Sequence, residues 1–247
     1  MTRTTSIQDR QRPAEIQQMF NSIAPTYDRL NHLLSFGLDV RWRRKAIRLF
    51  EKQRGGTFLD IATGSGDVSF ELLRLQPKRI VATDFAINML NVFRQKIQRM
   101  EYSLPIDILS SDAHALPFKD KTFDGTIVAF GIRNFADRLR ALREMHRVLK
   151  PNGLSIILEL SHPKTPVIAQ LYSIYAKLGL PLAGKIISKH ASAYTYLPDS
   201  IAAFPDEKEF LGLMNEAGFL ELKAIPLTFG ASTIYIGRKQ SSPEVIL

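Results

Sequence analysis

Between residues 57 and 160 the chain alternates short apolar runs with segments of helical spacing. Apolar residues recur at intervals of three and four in the segments that separate the runs. This alternation is typical of βαβ units with a parallel sheet, and right-handed crossovers place the helices on both faces. The predicted strands are Thr57–Thr63, Arg79–Asp84, Ile106–Asp112, Phe123–Phe130 and Leu154–Leu160; the predicted helices are Val68–Leu75, Ala86–Met100, Arg138–Leu149 and a longer one from about Pro166.

The end of the chain departs from this alternation. Two strand-like runs, Phe219–Leu227 and Ala231–Arg238, are separated only by Thr228–Gly230. A parallel return needs about a dozen residues, so this link predicts an antiparallel hairpin. The sequence therefore predicts an α/β fold with a seven-stranded mixed sheet, in which five parallel strands are followed by a reversed pair.

The segment Phe58–Asp67 reads FLDIATGSGD, which combines a buried strand, the acid Asp60 and the Gly64–Gly66 turn at the start of a helix. Glycines allow positive φ and let the backbone approach a ligand closely. A dinucleotide-binding turn would have a third glycine where this chain has Ser69, and it does not call for Asp60. The segment therefore disfavours a dinucleotide-binding turn, and a lone Gly-x-Gly can also mark an ordinary tight turn.

Two further acids end the next predicted strands. Asp84 ends the second strand, where a carboxylate can accept both hydroxyls of a ribose, although it could instead cap the helix that begins near Ala86. Asp112 ends the third strand, directly before Ala113, and can accept from an adenine amino group. The carboxyl ends of neighbouring parallel strands form the crevice in which such sheets bind ligands.

Taken in order, these residues resemble the S-adenosylmethionine (AdoMet) site of class I methyltransferases, whose Rossmann-like sheet also ends in a reversed hairpin. Apolar residues at spacings of three and four predict that residues 1–54 are helical, as a cap or substrate lobe. We expect an AdoMet-binding methyltransferase domain over 55–240 and a flexible tail over 241–247. The resemblance implies that AdoMet, the methyl donor, contacts Asp60, Gly64, Ser65, Gly66, Asp84, Asp112 and Ala113.

Longer motifs resemble one branch of that class, the UbiE/MenG family of quinone C-methyltransferases. The resemblance covers about residues 16–238 and departs from the family at Asp39, where a His is usual, and at Ala129, where some members have a cofactor-contacting Ser. Ser65 replaces the usual Thr and keeps its hydroxyl. The motifs are YDRLNHLLSFGLDVRW (27–42), AHALPF (113–118), FGIRN (130–134), RVLKPNGLSIILELS (147–161) and YTYLPDSI (194–201).

The family resemblance implies methyl transfer to a ring carbon of a prenylated hydroquinone, such as demethylmenaquinol or the equivalent benzoquinol. Holding carbon, methyl and sulfur in line supplies most of the catalysis, and a cation near the ring oxygen would stabilise an oxyanion. Arg133 is the candidate cation, although it could instead cap a loop or form a local salt bridge, and a water held by Arg133 and Asn134 could carry the phenolic proton. Candidate substrate contacts are Tyr27, Asn31, Tyr194 and Tyr196.

Composition limits the remaining choices. The chain has no Cys, and its His residues lack metal-ligand spacing with acids, so we expect no metal and no thiol chemistry. The first 54 residues carry a net charge of +6 out of +9 overall, together with Phe20, Phe36, Trp42 and Phe50. This mixture predicts reversible docking on an anionic membrane surface, although the aromatic residues could instead be buried as a lid over AdoMet, with the charges simply solvated.

The chain has neither an N-terminal signal pattern nor a spanning segment, so we expect a cytoplasmic protein that binds peripherally to the inner face of the membrane. A homo-oligomer is compatible with the sequence. Two alternatives stay open: another small-molecule AdoMet methyltransferase, and a basic nucleic-acid-binding protein. The second is disfavoured because aromatic residues are sparse among the basic ones, and we expect no nucleic-acid partner.

Overall fold

The computed structural model describes residues 7–100, 103–161 and 191–241. Its described residues form one seven-stranded sheet with the order β3-β2-β1-β4-β5-β7-β6. Strands β1 to β5 are parallel, and β7 runs antiparallel to both β5 and β6. The predicted mixed sheet is confirmed. The strands are β1 Thr57–Ile61, β2 Arg79–Asp84, β3 Ile106–Ser110, β4 Phe123–Ala129, β5 Leu149–Leu160, β6 Leu220–Leu227 and β7 Ser232–Arg238.

Helices cover both faces of the sheet. Alternate side chains of the strands enter two separate apolar cores, one packed against α6 and α8 and the other against α3 and α4. Residues with period two serve opposite faces, as in any buried strand. The helices are α1 Ile7–Ile23, α2 Tyr27–Leu34, α3 Leu38–Arg48, α4 Asp67–Leu72, α5 Ile87–Gln98, α6 Arg138–Val148, α7 Ala191–Ala202 and α8 Glu207–Glu216.

The strand order reverses at β1. After β1 the chain moves outward through β2 to β3, then returns to β4 on the other side of β1. A crevice opens at the carboxyl ends of the strands at such a reversal, which is where open α/β sheets bind ligands. The loops after β1, β2 and β4 therefore face one space.

The largest boundary difference concerns β5, which begins at Leu149 and not at Leu154. Its register against β4 shifts between the Phe123–Leu149 pair and the Gly125–Leu154 pair. Asn152, with φ of 63°, lies within this irregular stretch. A bulge keeps the strand continuous through a Pro-Asn-Gly sequence that is otherwise typical of a turn. The longer helix predicted from about Pro166 lies outside the described residues.

The N-terminal helices have different environments. Helix α3 packs into the core beneath the sheet through Trp42, Ala46, Ile47 and the following Phe50. Helix α1 instead contacts α5, where Ile23 and Ala24 meet Ala86 and Met89. No helix among the described residues is long and apolar enough to cross a membrane.

Candidate active site

A cavity of about 390 Å³ opens at the carboxyl ends of β1, β2 and β4. Its volume falls within the range of small-molecule sites. Helix α1 closes one side of it through Ile16, Gln17 and Phe20. Six of the sequence-predicted site residues line the cavity, namely Tyr27, Gly64, Asp84, Asp112, Ala113 and Asn134.

The glycine turn after β1 requires both of its glycines. Gly64 and Gly66 have φ values of 57° and 91°, in the left-handed region that favours glycine. A Cβ on Gly66 would lie 2.2 Å from the ring of Phe93, so the turn also needs the missing side chain. The turn brings the amide of Gly64 to the cavity, while Gly66 packs against α5.

Asp84 links the turn to the end of β2. Its Oδ2 accepts a hydrogen bond from the amide of Gly64 at 2.8 Å, and its Oδ1 accepts from the amide of Ala86 at 2.7 Å. Burial raises the pKa of Asp84, and the two amides act to lower it. Ala86 is itself the N-cap residue of α5, so Asp84 fixes the preceding turn and does not cap the helix. Each carboxylate oxygen keeps a lone pair for a ligand hydroxyl.

Asp60 lies behind the turn and does not line the cavity. Its Oδ2 accepts from the hydroxyls of Thr63 and Ser69, each at 2.6 Å, whereas its buried Oδ1 has no partner among the described residues. Burial, reinforced by the charge of Asp84, raises the pKa of Asp60 to about 7. The hydroxyl of Ser65 also points away from the cavity and donates to the carboxylate of Asp28.

The raised pKa of Asp60 predicts a pH effect on stability. The folded protein binds this proton more tightly than the unfolded chain does, so the stabilisation is present below about pH 4 and is lost as the pH rises through about 7. In Asp60→Asn we expect a smaller loss of unfolding free energy between pH 5 and 8 than in the unsubstituted protein. Urea unfolding at several pH values, with Asp107→Asn as an exposed control, measures it; parallel curves for Asp60→Asn and the unsubstituted protein would show that Asp60 titrates normally.

Asp112 is held by its neighbour His114. The ring Nδ1 of His114 lies 2.6 Å from Asp112 Oδ1, and its Nε2 accepts from the amide of Asp137 at 3.2 Å. This pairing assigns the proton to Nδ1, because Nε2 must accept. Burial acts to raise the pKa of Asp112, but the amide and ring of His114 outweigh it and lower that pKa. Nearby, the buried hydroxyl of Ser111 in the cavity wall has no partner among the described residues.

Arg133 forms a buried ion pair with Glu159. Its guanidinium donates to Glu159 Oε1 at 2.7 Å and to the carbonyl of Phe130, and its amide donates to Glu159 Oε2 at 3.1 Å. Burial acts to lower the pKa of Arg133, yet the carboxylate of Glu159 outweighs it and raises that pKa. The buried Nε of Arg133 has no acceptor among the described residues. The sequence-based reasoning missed Glu159, although a lone charge in the apolar run LSIILEL was a usable signal.

Two of the candidate substrate tyrosines, Tyr27 and Tyr196, interact electrostatically with Arg133. Tyr196 donates to Asn134 Oδ1 at 2.7 Å, and the charge of Arg133 acts on Tyr196 and on Tyr27. Burial raises the pKa of Tyr27, against the opposing effects of Arg133 and a hydrogen bond with Asn31. Tyr194 lies in α7, but its side chain is outside the described part of the chain.

Ionic contacts connect α2 and α3 to the helix that follows the glycine turn. Among the described residues, His32, Asp39 and Asp67 are the one group whose ligand atoms lie close enough for a metal ion. The guanidinium of Arg43 already bridges the two carboxylates, at 2.8 Å from Asp39 and 3.2 Å from Asp67. The Asp39 that replaces the family's usual His is thus part of an ion-pair network.

Solved structures share this architecture. A SAM-dependent methyltransferase from Thermotoga maritima, described as a possible histamine N-methyltransferase, matches with a TM-score of 0.62 at 21% identity, covering 90% of this chain and 99% of its own. The [4+2]-cyclase SpnF matches with a TM-score of 0.64 at 15% identity, covering 92% and 96%. These likenesses show the fold alone.

The family model described as the ubiE/COQ5 methyltransferase family matches residues 5–239. The chain belongs to the ubiE/COQ5 methyltransferase family. A relative from Geotalea uraniireducens, named ubiquinone/menaquinone biosynthesis C-methyltransferase UbiE, is 43% identical over 91% of this chain and 96% of its own. One from Bacteroides fragilis, named demethylmenaquinone methyltransferase, is 42% identical over 94% and 95%. The predicted family and the predicted AdoMet-dependent methyltransferase class are confirmed for this member of the ubiE/COQ5 family.

Proposed function

We propose that the protein transfers the methyl group of AdoMet to a ring carbon of a prenylated demethylquinol, with demethylmenaquinol as the first substrate to test. The supporting observation is that the residues proposed to bind the cofactor and those proposed to bind the substrate adjoin the same cavity. The predicted nucleoside residues Asp84 and Asp112 line a cavity whose wall also includes Asn134, which is bonded to Tyr196 beside the Arg133–Glu159 pair. The names of the family relatives support the quinol as the acceptor.

The end of the cavity proposed for the cofactor has carboxylate hydrogen-bond acceptors and a glycine at which the backbone can approach the ligand closely. In our proposal Asp84 holds the ribose hydroxyls and Asp112 the adenine amino group, while Gly64 leaves room for the ligand. The unpartnered hydroxyl of Ser111 fits an additional polar contact in the same wall. AdoMet supplies an activated methyl on a sulfonium. The protein provides the alignment of donor and acceptor, which effective-molarity arguments place among the largest contributions available to an enzyme. No metal enters this scheme.

At the end of the cavity proposed for the quinol, Arg133 provides a hydrogen-bond donor whose position is fixed. We assign Arg133 to the developing oxyanion of the quinol, because its Nε–H is buried and has no acceptor among the described residues. Glu159 fixes the guanidinium from the other side. Water held by Arg133 and Asn134 would relay the phenolic proton to solvent, and after methyl transfer the proton of the ring carbon would leave by the same route, since Arg133 cannot serve as a base at ordinary pH. Tyr27, Asn31, Tyr194 and Tyr196 remain the proposed substrate contacts.

Replacing Arg133 by Lys tests that role. We expect kcat to fall at least about tenfold while AdoMet affinity changes little, because an ammonium keeps the charge and loses the planar fork. Arg147→Lys is the matched control, since Arg147 pairs in fork geometry with Glu144 of the same helix. Steady-state kinetics and calorimetry separate the two effects. A fall in AdoMet affinity with kcat unchanged would show that Arg133 supports cofactor binding and does not stabilise the quinol oxyanion.

The partner and location follow from the lipid nature of such a substrate. Each buried CH₂ of a prenyl chain favours lipid by about 0.8 kcal/mol, so a prenylated quinol stays in the membrane. We propose a cytoplasmic enzyme that reaches this substrate by reversible docking on the anionic inner face, driven in part by the net +6 of residues 1–54.

Turnover assays decide the proposed function. Purified protein with AdoMet and detergent-dispersed demethylmenaquinol or demethylated benzoquinol should yield the methylated quinol, and cells lacking the protein should accumulate the demethylated form. Methylation of a soluble phenol or amine with neither quinol accepted would favour another small-molecule methyltransferase. A salt-sensitive shift of RNA without quinol turnover would favour nucleic-acid binding.

A further inference from the structure

Two phenylalanines stand out on the surface. The side chains of Phe36 and Phe229 are 80% and 74% exposed. Among the described residues, no other large apolar side chain is more than 49% exposed. Both lie at positive φ, 51° for Phe36 and 56° for Phe229, each directly before a glycine. A positive φ costs a bulky residue conformational energy, which the surrounding turn must offset.

The two turns belong to adjoining elements. Phe36 precedes α3 by two residues, and Phe229 forms the tip of the β6–β7 hairpin. The indole of Trp42 in α3 donates to the hydroxyl of Thr228 at 2.8 Å, which fixes the helix against the hairpin. Trp42 lies four residues from the start of α3, or about 6 Å along its axis. Both phenylalanines therefore emerge at the same edge of the molecule.

Helix α3 adds positive charge beside them. Its exposed side chains are Arg41, Arg44, Lys45 and Arg48, at the spacing of a single helical face. Arg44 pairs with Glu71, while Arg41, Lys45 and Arg48 have no acidic partner within the described chain. Exposed aromatic rings next to unpaired cations are the mixture found where a protein lies on an anionic bilayer.

This edge also adjoins the cavity. Phe130 lines the cavity, and its ring centroid lies 6.3 Å from that of Trp42, whose indole holds the hairpin. Trp42 and Phe130 thus connect the cavity wall to the hairpin that carries Phe229. In our proposal a prenyl chain leaves the cavity past these two rings and enters lipid.

We propose that Phe36, Phe229 and the basic face of α3 form the surface that docks the enzyme on an anionic bilayer, with both rings entering the boundary between headgroups and acyl chains. The choice of a bilayer rests on the proposed function, because a lipid-borne substrate requires one. This surface is narrower than the aromatic set expected from the sequence: Trp42 and Phe50 are buried, and Phe20 is half-buried and packs on Tyr27. Because Trp42 and Phe50 are buried, they are not part of the proposed docking surface.

Co-sedimentation with vesicles tests the surface. The full chain is compared with Phe36→Ser/Phe229→Ser on neutral phosphatidylcholine vesicles and on vesicles with about 30 mol % phosphatidylglycerol, which models an anionic leaflet. Leu220→Ser is the matched control, because Leu220 is an exposed apolar residue at the far end of β6. We expect the full chain and the control to bind anionic vesicles and to release as salt rises, and the double variant to bind at least about tenfold more weakly.

Charge and folding are controlled separately. Arg41→Glu/Lys45→Glu should weaken anionic binding, and Lys223→Glu on β6 should not. Circular dichroism should show all variants folded, and fluorescence of Trp42, the single tryptophan, should change with anionic vesicles only when both phenylalanines are present. Equal binding of the double variant and Leu220→Ser, equal binding of the full chain to neutral and anionic vesicles, or no binding at low salt would overturn the proposal.

The vesicle assay and the quinol assay test the docking surface and the proposed function separately. Vesicle binding needs no substrate, so loss of binding in the double variant supports the docking surface whether or not a quinol is methylated. If the function also holds, the double variant should retain turnover of a quinol dispersed in detergent and lose turnover of the same quinol embedded in anionic vesicles. Equal turnover of the embedded quinol by the double variant and by the unsubstituted protein would contradict the docking role.

Discussion

Glu159→Gln is expected to lower the free energy of unfolding by about 3–5 kcal/mol, the usual cost of leaving one member of a buried ion pair alone. Glu159 has no exposed surface, and its carboxylate accepts from the guanidinium and amide of Arg133 and from the amide of Leu160. The amide of Gln keeps some of these hydrogen bonds and loses the charge that compensates Arg133. Urea unfolding measures the effect, and kcat should fall with it because the guanidinium is no longer fixed.

Two control variants show whether the loss of stability comes from the buried, unpaired charge of Arg133. Glu221→Gln breaks an exposed pair with Arg238 and should cost no more than about 1 kcal/mol. Glu159→Leu/Arg133→Met removes both charges and should be more stable than Glu159→Gln alone, yet without activity. If Glu159→Gln is as stable as Glu221→Gln, the charge of Arg133 is satisfied elsewhere and the pair does not organise the site.

Asp84→Ala is expected to weaken AdoMet binding by about 1–3 kcal/mol, through the loss of charge-assisted hydrogen bonds to the ribose. The substitution also removes the two contacts that hold the turn, to the amides of Gly64 and Ala86. Asp84→Asn, which keeps one acceptor oxygen, should fall between Asp84→Ala and the unsubstituted protein. Isothermal calorimetry gives the affinities directly.

The control for this measurement is Asp107→Ala on the neighbouring strand. Asp107 is exposed and pairs with Arg79 at 2.6 Å, away from the cavity lining. Its replacement should leave AdoMet affinity unchanged. An Asp84→Ala variant that binds AdoMet as tightly as Asp107→Ala would remove Asp84 from the cofactor site.

Sequence reasoning predicted best those site residues that lie at the carboxyl ends of strands. The carboxyl ends of parallel strands meet at one edge, so locating Asp84 and Asp112 at two such ends was enough to predict that they share a cavity. Orientation within a turn is a different matter. Ser65 was predicted beside the cofactor, but its hydroxyl contacts Asp28 from another helix, and no local pattern reports a partner 37 residues away.

The Arg133–Glu159 pair shows a second limit. The two residues are 26 positions apart, and their contact depends on the register of β4 against β5, in which Ala129 pairs with Leu158. The sequence predicts that both strands exist and are parallel, whereas the bulge near Asn152 shifts the register and is not evident from hydrophobic pattern alone. The buried environment of Trp42 depends in the same way on how α3 packs beneath the sheet.

Helix α1 closes one side of the cavity, yet its polar ties to the rest of the protein include two solvent-exposed pairs, Gln17 with the carbonyl of Phe85 and Asn21 with Asn88. Few buried contacts and exposed hydrogen bonds mark the segments that open at the lowest free energy. We therefore expect α1 to exchange its amide hydrogens faster than α3, which is packed into the core beneath the sheet.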